Sequence, residues 1–150
     1  MSRAGTVLSL AAGLLLGACS MVPSWLGGGP SISRISIAAD PDANRNSAVA
    51  VDLVMLTDPE AAAAIMKLSA RDWFERRQQF TRDYPDGLRI LSWELAPGQV
   101  LRDAPVDSPG GMTNAIIFAG YRGDGDHRLR LGDVSRVRLL LDEKDVRLMP

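Results

Sequence analysis

The chain has 150 residues, with 17 basic and 18 acidic side chains, one histidine and one cysteine. A formal net charge of −1 argues against nucleic acid or a broadly anionic surface as the main partner. The single cysteine excludes an internal disulfide and a thiolate-rich metal site, so stability has to come from packing.

At the N-terminus, Arg3 precedes an apolar stretch from Val7 to Leu16, followed by the small residues Gly17 and Ala18 and then Cys19. The stretch is roughly half the ~20 apolar residues that span a bilayer, so it reads as a removable export signal. Cys19 directly after Leu16-Gly17-Ala18 resembles the bacterial lipoprotein signal, in which the cysteine is acylated and begins the mature chain. The alternative, an ordinary signal with an incidental cysteine, leaves an odd free thiol in an oxidising compartment. Each buried acyl methylene contributes about 0.8 kcal/mol, so two or three chains hold a protein on the membrane. Ser20 stands where the inner-membrane retention signal of such lipoproteins carries Asp, and the resemblance therefore implies the outer membrane, periplasmic face. The expected organisation is a signal peptide over 1–18, a lipidated N-terminus and tether over 19–30, and a domain over 31–150. Three consecutive glycines between Pro23 and Pro30 have the composition of a flexible tether. Trp25 and Leu26 fit either the membrane interface or the surface of the domain.

Ser31 to Ala39 alternates through Ile32, Ile35 and Ile37 and predicts a first strand. Asp40 to Ser47 is dense in turn residues and precedes an apolar run, Ala48 to Leu56, that predicts a strand near the centre of a sheet. Asp52 within it is either exposed on the opposite face or paired. Pro59 to Leu68 has helical composition with proline in the first turn. Ser69-Ala70-Arg71-Asp72 resembles a capping box and opens a second helix that ends at Tyr84-Pro85-Asp86-Gly87. Leu88 to Ala96 carries apolar residues at both parities, which predicts a strand buried on two faces. Pro97 to Thr113 reads as a crossover loop between sheets. Further strands are expected over Asn114–Tyr121, His127–Leu131, Ser135–Leu141 and Val146–Met149. The pattern predicts a mainly β, two-sheet antiparallel β-sandwich (transthyretin-like) with a short helical insertion.

The chemistry-bearing residues are sparse. His127 has no GxSxG elbow to serve, and neither Lys67 nor Lys144 is placed beside a serine by the sequence, so no catalytic residues are assigned. Asp40, Asp42, Asn44 and Asn46 alternate as calcium ligands do, but the glycine and the closing glutamate of such a loop are missing, and a solvated turn is the expected reading. No metal and no cofactor are expected. Among Arg71, Arg76, Arg77 and Arg82, local pairing with Asp72, Glu75 and Asp83 is expected ahead of a cationic contact surface.

Taken in order, the chain presents the Cys19 lipobox, a tether, a strand, the polar loop at Asn44, a Val-rich strand and an aromatic-rich helical excursion. There follow a strand ending in Ala96-Pro97-Gly98-Gln99, the strand Ile116-Ile117-Phe118-Ala119-Gly120-Tyr121, and His127-Arg128. This order resembles the TssJ (SciN, VasD) lipoproteins of the bacterial type VI secretion system. The chain departs from that pattern at Asp40–Asn44, at Gln99 in place of an acidic residue, and at His127 in place of tryptophan. The resemblance implies a structural adaptor rather than an enzyme. It would be tethered to the outer membrane through Cys19 and bind the periplasmic domain of the inner-membrane protein TssM. The loop between the first two strands would make that contact, with Asp42, Asn44, Arg45 and Asn46 as candidate partner-binding residues. The same residues could instead simply build the turn. A general periplasmic lipoprotein for ligand binding or envelope assembly is the alternative function.

Overall fold

The computed structural model describes residues 30–150. The predicted signal peptide, Cys19 and the tether residues 20–29 lie outside the described residues. Eight strands form two four-stranded sheets, ordered β4-β1-β7-β8 and β3-β2-β5-β6. They are β1 (Arg34–Ala39), β2 (Val49–Leu56), β3 (Leu88–Leu95), β4 (Val100–Pro105), β5 (Asn114–Ala119), β6 (Arg128–Leu131), β7 (Arg136–Leu141) and β8 (Val146–Leu148).

The alternating pattern builds the intersheet core directly. Ile35 and Ile37 of β1, Val51, Leu53 and Met55 of β2, Ile117 of β5 and Leu139 of β7 point between the sheets and are almost wholly buried. Both β2 and β5 lie inside their sheet, so their other faces are buried too. Val54, Leu56, Ile116 and Phe118 pack under two helices, Pro59–Ile65 and Ala70–Asp83. The helix starts follow the residues at their caps. The Asp58 side chain accepts from Ala61 N–H at 2.8 Å, and the Ser69 hydroxyl accepts from Asp72 N–H at 3.1 Å. Asp72 is one methylene shorter than the usual glutamate, and instead of reaching back to the Ser69 backbone it accepts the Ser69 hydroxyl proton at 2.8 Å.

Asp52 is paired. It faces the helices at 1% exposure, where its Oδ2 accepts from Trp73 Nε1 at 2.8 Å and from Arg77 Nη1 at 3.2 Å. Trp73 stacks on Phe118, with ring centroids 5.1 Å apart. The arginines of this helix do not pair with Asp72, Glu75 or Asp83 as expected. Arg77 reaches across to Asp52, and Arg76 lies over the Phe80 ring at 4.9 Å.

Three further expectations change. β1 runs antiparallel to β4 but parallel to β7, with Arg34 beside Arg136 and Ala39 beside Leu141. The sandwich is therefore antiparallel in all pairings except this one. β3 is an edge strand whose residues are mostly exposed or half-buried rather than covered on two faces. The segment 97–113 does cross between sheets, but it contains β4, which has a bulge where Ser36 stands opposite Arg102 and Asp103.

Candidate partner-binding site

The loops after β1, β3, β5 and β7 meet at one end of the sandwich. The turn Ala96-Pro97-Gly98-Gln99 places proline and a glycine at φ 79° in its two central positions. Gly98 N–H reaches the Ala39 carbonyl at 3.1 Å, and Ala39 N–H donates to the Gln99 carbonyl at 2.9 Å. The Gln99 side-chain oxygen accepts from Ala96 N–H at 2.8 Å. An amide oxygen thus does here what a carboxylate could do at this position.

The loop from Asp40 to Ala48 has an unusual backbone. Asn44, Arg45 and Asn46 lie consecutively at φ 49°, 54° and 58°, a left-handed turn that costs residues with a Cβ roughly 1–2 kcal/mol each. Asparagine tolerates this region best, which explains two of the three residues. Asn44 also stabilises the turn through its side chain, donating to the Ala48 carbonyl at 2.9 Å and accepting from Arg122 N–H at 2.8 Å. It is 2% exposed. Asn44 therefore builds the loop from inside, while Asp42, Arg45 and Asn46 are exposed at its tip.

Residues outside the candidate contact set close this end of the fold. Tyr121 places its hydroxyl between the Asp142 and Asp145 carbonyls, at 3.1 and 2.7 Å. His127 stacks on Tyr121 at 4.9 Å, and its backbone sits at φ 45°. Its Nδ1 faces Asp145 Oδ1 and its Nε2 faces the Gly123 carbonyl, each at 3.1 Å. A side chain at Gly125 would strike this ring, since a Cβ there falls 2.8 Å from Cε1. The Gly123–Asp126 turn thus wraps the imidazole, and both ring nitrogens are engaged within the loop end. Arg128 belongs to the scaffold as well, since it donates to the Met66 and Leu68 carbonyls at 3.0 and 2.8 Å beyond the short helix. Between Arg45, Tyr121, Asp124 and Lys144 an open cleft of about 120 Å³ remains. Among the described residues no group of three or more His, Cys, Asp or Glu side chains is placed to hold a metal.

Two charged states report on this end. Burial, together with the nearby Asp142, Asp145 and Asp40 carboxylates, pushes the Tyr121 phenol far above its ordinary 10.0. Burial also works against the Asp142 carboxylate, but the Lys144 and Asp145 N–H groups and Arg147 outweigh it and hold that carboxyl below its ordinary value. Because the folded pKa of Tyr121 is raised, its neutral hydroxyl contributes fully below about pH 10, and that contribution is lost as the pH climbs through the folded pKa. Tyr121→Phe is expected to be about 1 kcal/mol less stable than the parent at neutral pH. Urea unfolding at a series of pH values should show that gap closing above pH 10; a constant gap would contradict the linkage.

Three solved structures share this architecture. The structure of Serratia marcescens Lip, a membrane bound component of the type VI secretion system, aligns with a TM-score of 0.59 at 16% identity, covering 79% of this chain and 98% of that one. The type VI secretion lipoprotein TssJ1 from Pseudomonas aeruginosa aligns with a TM-score of 0.61 at 17% identity, covering 81% and 96%. The chain has the fold of these lipoproteins. A chain of a type VI membrane complex gives a TM-score of 0.63 at 14% identity, covering 81% of this chain and all of that one. No family model and no curated protein sequence matches the chain.

Proposed function

We propose that this chain is a TssJ-type lipoprotein, a structural adaptor of the type VI secretion trans-envelope complex, held on the periplasmic face of the outer membrane through acylated Cys19. The observation that carries this reading is the fold it shares, over about four-fifths of its length, with lipoproteins of that system. The left-handed turn supports it. A strained loop held in place by Asn44 presents Asp42, Arg45 and Asn46 in a fixed arrangement, as a contact surface for the periplasmic domain of TssM requires. The protein acts by holding two things together. The one histidine is locked between Asp145 and Gly123, and among the described residues no serine hydrogen-bonds to its ring.

The reading as a general ligand-binding lipoprotein needs an enclosed cavity between the sheets. That space is filled by Ile35, Ile37, Val51, Leu53, Met55, Ile117 and Leu139. Cys19→Ser separates the adaptor reading from a freely acting periplasmic protein. The variant is expected to leave the membrane fraction with an unchanged circular dichroism spectrum, and secretion of a type VI substrate should fall to the level of a strain lacking the gene. Normal secretion by a protein found soluble in the periplasm would refute the tethering role.

A further inference from the structure

Among the described residues no helix covers the sheet β4-β1-β7-β8, because the two helices pack on the other sheet. Arginine recurs at the outward positions of β4-β1-β7-β8. Arg34 of β1, Arg102 of β4, and Arg136 and Arg138 of β7 are all exposed. Arg34 and Arg136 are direct neighbours across the parallel pair, and Ser36 has Arg138 on one side and the Arg102-Asp103 bulge on the other. Among the described residues none of these four guanidinium groups forms an ion pair with a carboxylate, whereas the adjacent Arg147 is held by Asp142. Arg34 donates only to the Asp103 backbone carbonyl, at 3.1 Å. Residues 1–29 contain no aspartate or glutamate that could pair with them. Like charges side by side on a sheet are unfavourable, and the fold offers these four little compensation. The net charge of −1 points away from a broadly anionic surface, but it averages over the whole chain and conceals this locally cationic face.

The charge is also segregated along the strands. The row nearest the N-terminal segment is Pro105, Arg34 and Arg136, and the next is the Arg102-Asp103 bulge, Ser36 and Arg138, in which the Asp103 carboxylate pairs with none of the arginines among the described residues. The third row, toward the 40–48 loop, is Val100, Ala38, Leu140 and Arg147, and its one cation is paired with Asp142. Arg34 opens β1, the strand that the N-terminal segment enters, and the chain between Cys19 and Ser33 spans about 50 Å at most when extended.

We propose that this arginine face docks on the anionic phospholipid headgroups of the membrane to which Cys19 attaches the chain; the proposal rests on the anchoring reading above. A short anchored segment keeps the face at high effective concentration over the lipid, so individually weak contacts suffice. Guanidinium groups are suited to them, since they bind phosphate oxygens in a bidentate, planar arrangement. An acidic protein could match the charge equally well, but it would not explain why the unpaired cations of this sheet sit in the two rows nearest the N-terminal segment. Docked in this way, the domain turns its third row, whose one cation is paired, and the 40–48 loop away from the contact.

The test uses the full lipidated chain with Pro105→Cys carrying an environment-sensitive fluorophore at the first row. The chain is reconstituted into phosphatidylcholine vesicles with or without about 30% phosphatidylglycerol, plus a headgroup-spin-labelled lipid as quencher. Flotation with both vesicle types is the expected sign of the anchor. Quenching is expected to be at least about threefold greater on the anionic vesicles at low salt and to vanish near 1 M salt. In a further variant with Arg34→Gln, Arg136→Gln and Arg138→Gln it should fall to the level on neutral lipid, with the melting temperature no lower than the parent's. Flotation with equal quenching on both compositions would overturn the proposal and assign the face to an acidic protein, and undiminished quenching of the glutamine variant would overturn it as well. Failure to float would refute the anchor, and the docking with it.

Discussion

Trp73→Ala is expected to destabilise the domain by about 4 kcal/mol, the middle of the range for truncating a buried aromatic residue. Trp73 is fully buried and stacks on Phe118 and Phe80, with centroids at 5.1 and 6.1 Å. Its removal opens a cavity between the long helix and the sheet. It also deprives Asp52 of the 2.8 Å donor, leaving a buried carboxylate to the half-exposed Arg77 alone, and an under-partnered buried acceptor carries its own penalty of about 1–3 kcal/mol. Trp73→Phe separates the two contributions, since it retains most of the stacking and loses the N–H. Its cost should be close to the hydrogen-bond part, about 1–3 kcal/mol. Urea denaturation of both variants checks this. Equal costs for the two substitutions would mean that the hydrogen bond to Asp52, and not the packing, holds the helix on the sheet.

The second large effect concerns Asn44. Asn44→Ala is expected to cost about 3 kcal/mol, combining two lost hydrogen bonds with the strain of a β-carbon at φ 49° in a residue lacking the local polar compensation of asparagine. Asn44→Gly loses the same bonds but adopts positive φ freely, so it should be milder by about 1 kcal/mol. The functional consequence extends beyond stability. Without Asn44 bridging Ala48 and Arg122, the left-handed conformation of Arg45 and Asn46 becomes a minor population. A partner that recognises it then binds about ten- to thirtyfold more weakly. Titration with the periplasmic domain of TssM, at a temperature where the variant remains folded, measures this. Unchanged affinity would place the contact away from the 40–48 loop.

The sequence reveals most where a segment's environment is simple. β2 and β5 are interior strands with apolar residues on both faces, and their long apolar runs place them within a residue or two. The helices are marked by Asp58-Pro59 and Ser69, whose side chains act at their N-termini as the residue types predict. β4 is obscured for the opposite reason. As an edge strand it turns only Leu101 and Ala104 toward the core, it carries Asp103 at φ 48°, and it ends in Pro105. No alternation survives in it. The parallel pairing of β1 with β7 joins segments about a hundred residues apart in the sequence, and no local pattern encodes that.

The loop end is similarly half legible. Asp40 to Ser47 reads as a turn, and its polar residues read as candidate contacts. That Asn44 faces inward depends on Arg122 and Ala48. That Tyr121 and His127 close the same end depends on Asp142, Asp145 and the Gly123–Asp126 turn. These are meetings between distant segments, and they exist only after the sheets have stacked.

The position of β1 has a mechanical consequence. It leads from the N-terminal segment to the 40–48 loop, and it is hydrogen-bonded on both sides, to β4 and to β7. A pull between the N-terminal segment and that loop therefore runs along one interior strand, parallel to its axis. The hydrogen bonds of β1 lie across that direction and share the load together, as in a lap joint loaded in shear. They are not peeled apart one at a time, and the six residues from Arg34 to Ala39 carry the tension between the two ends of the domain.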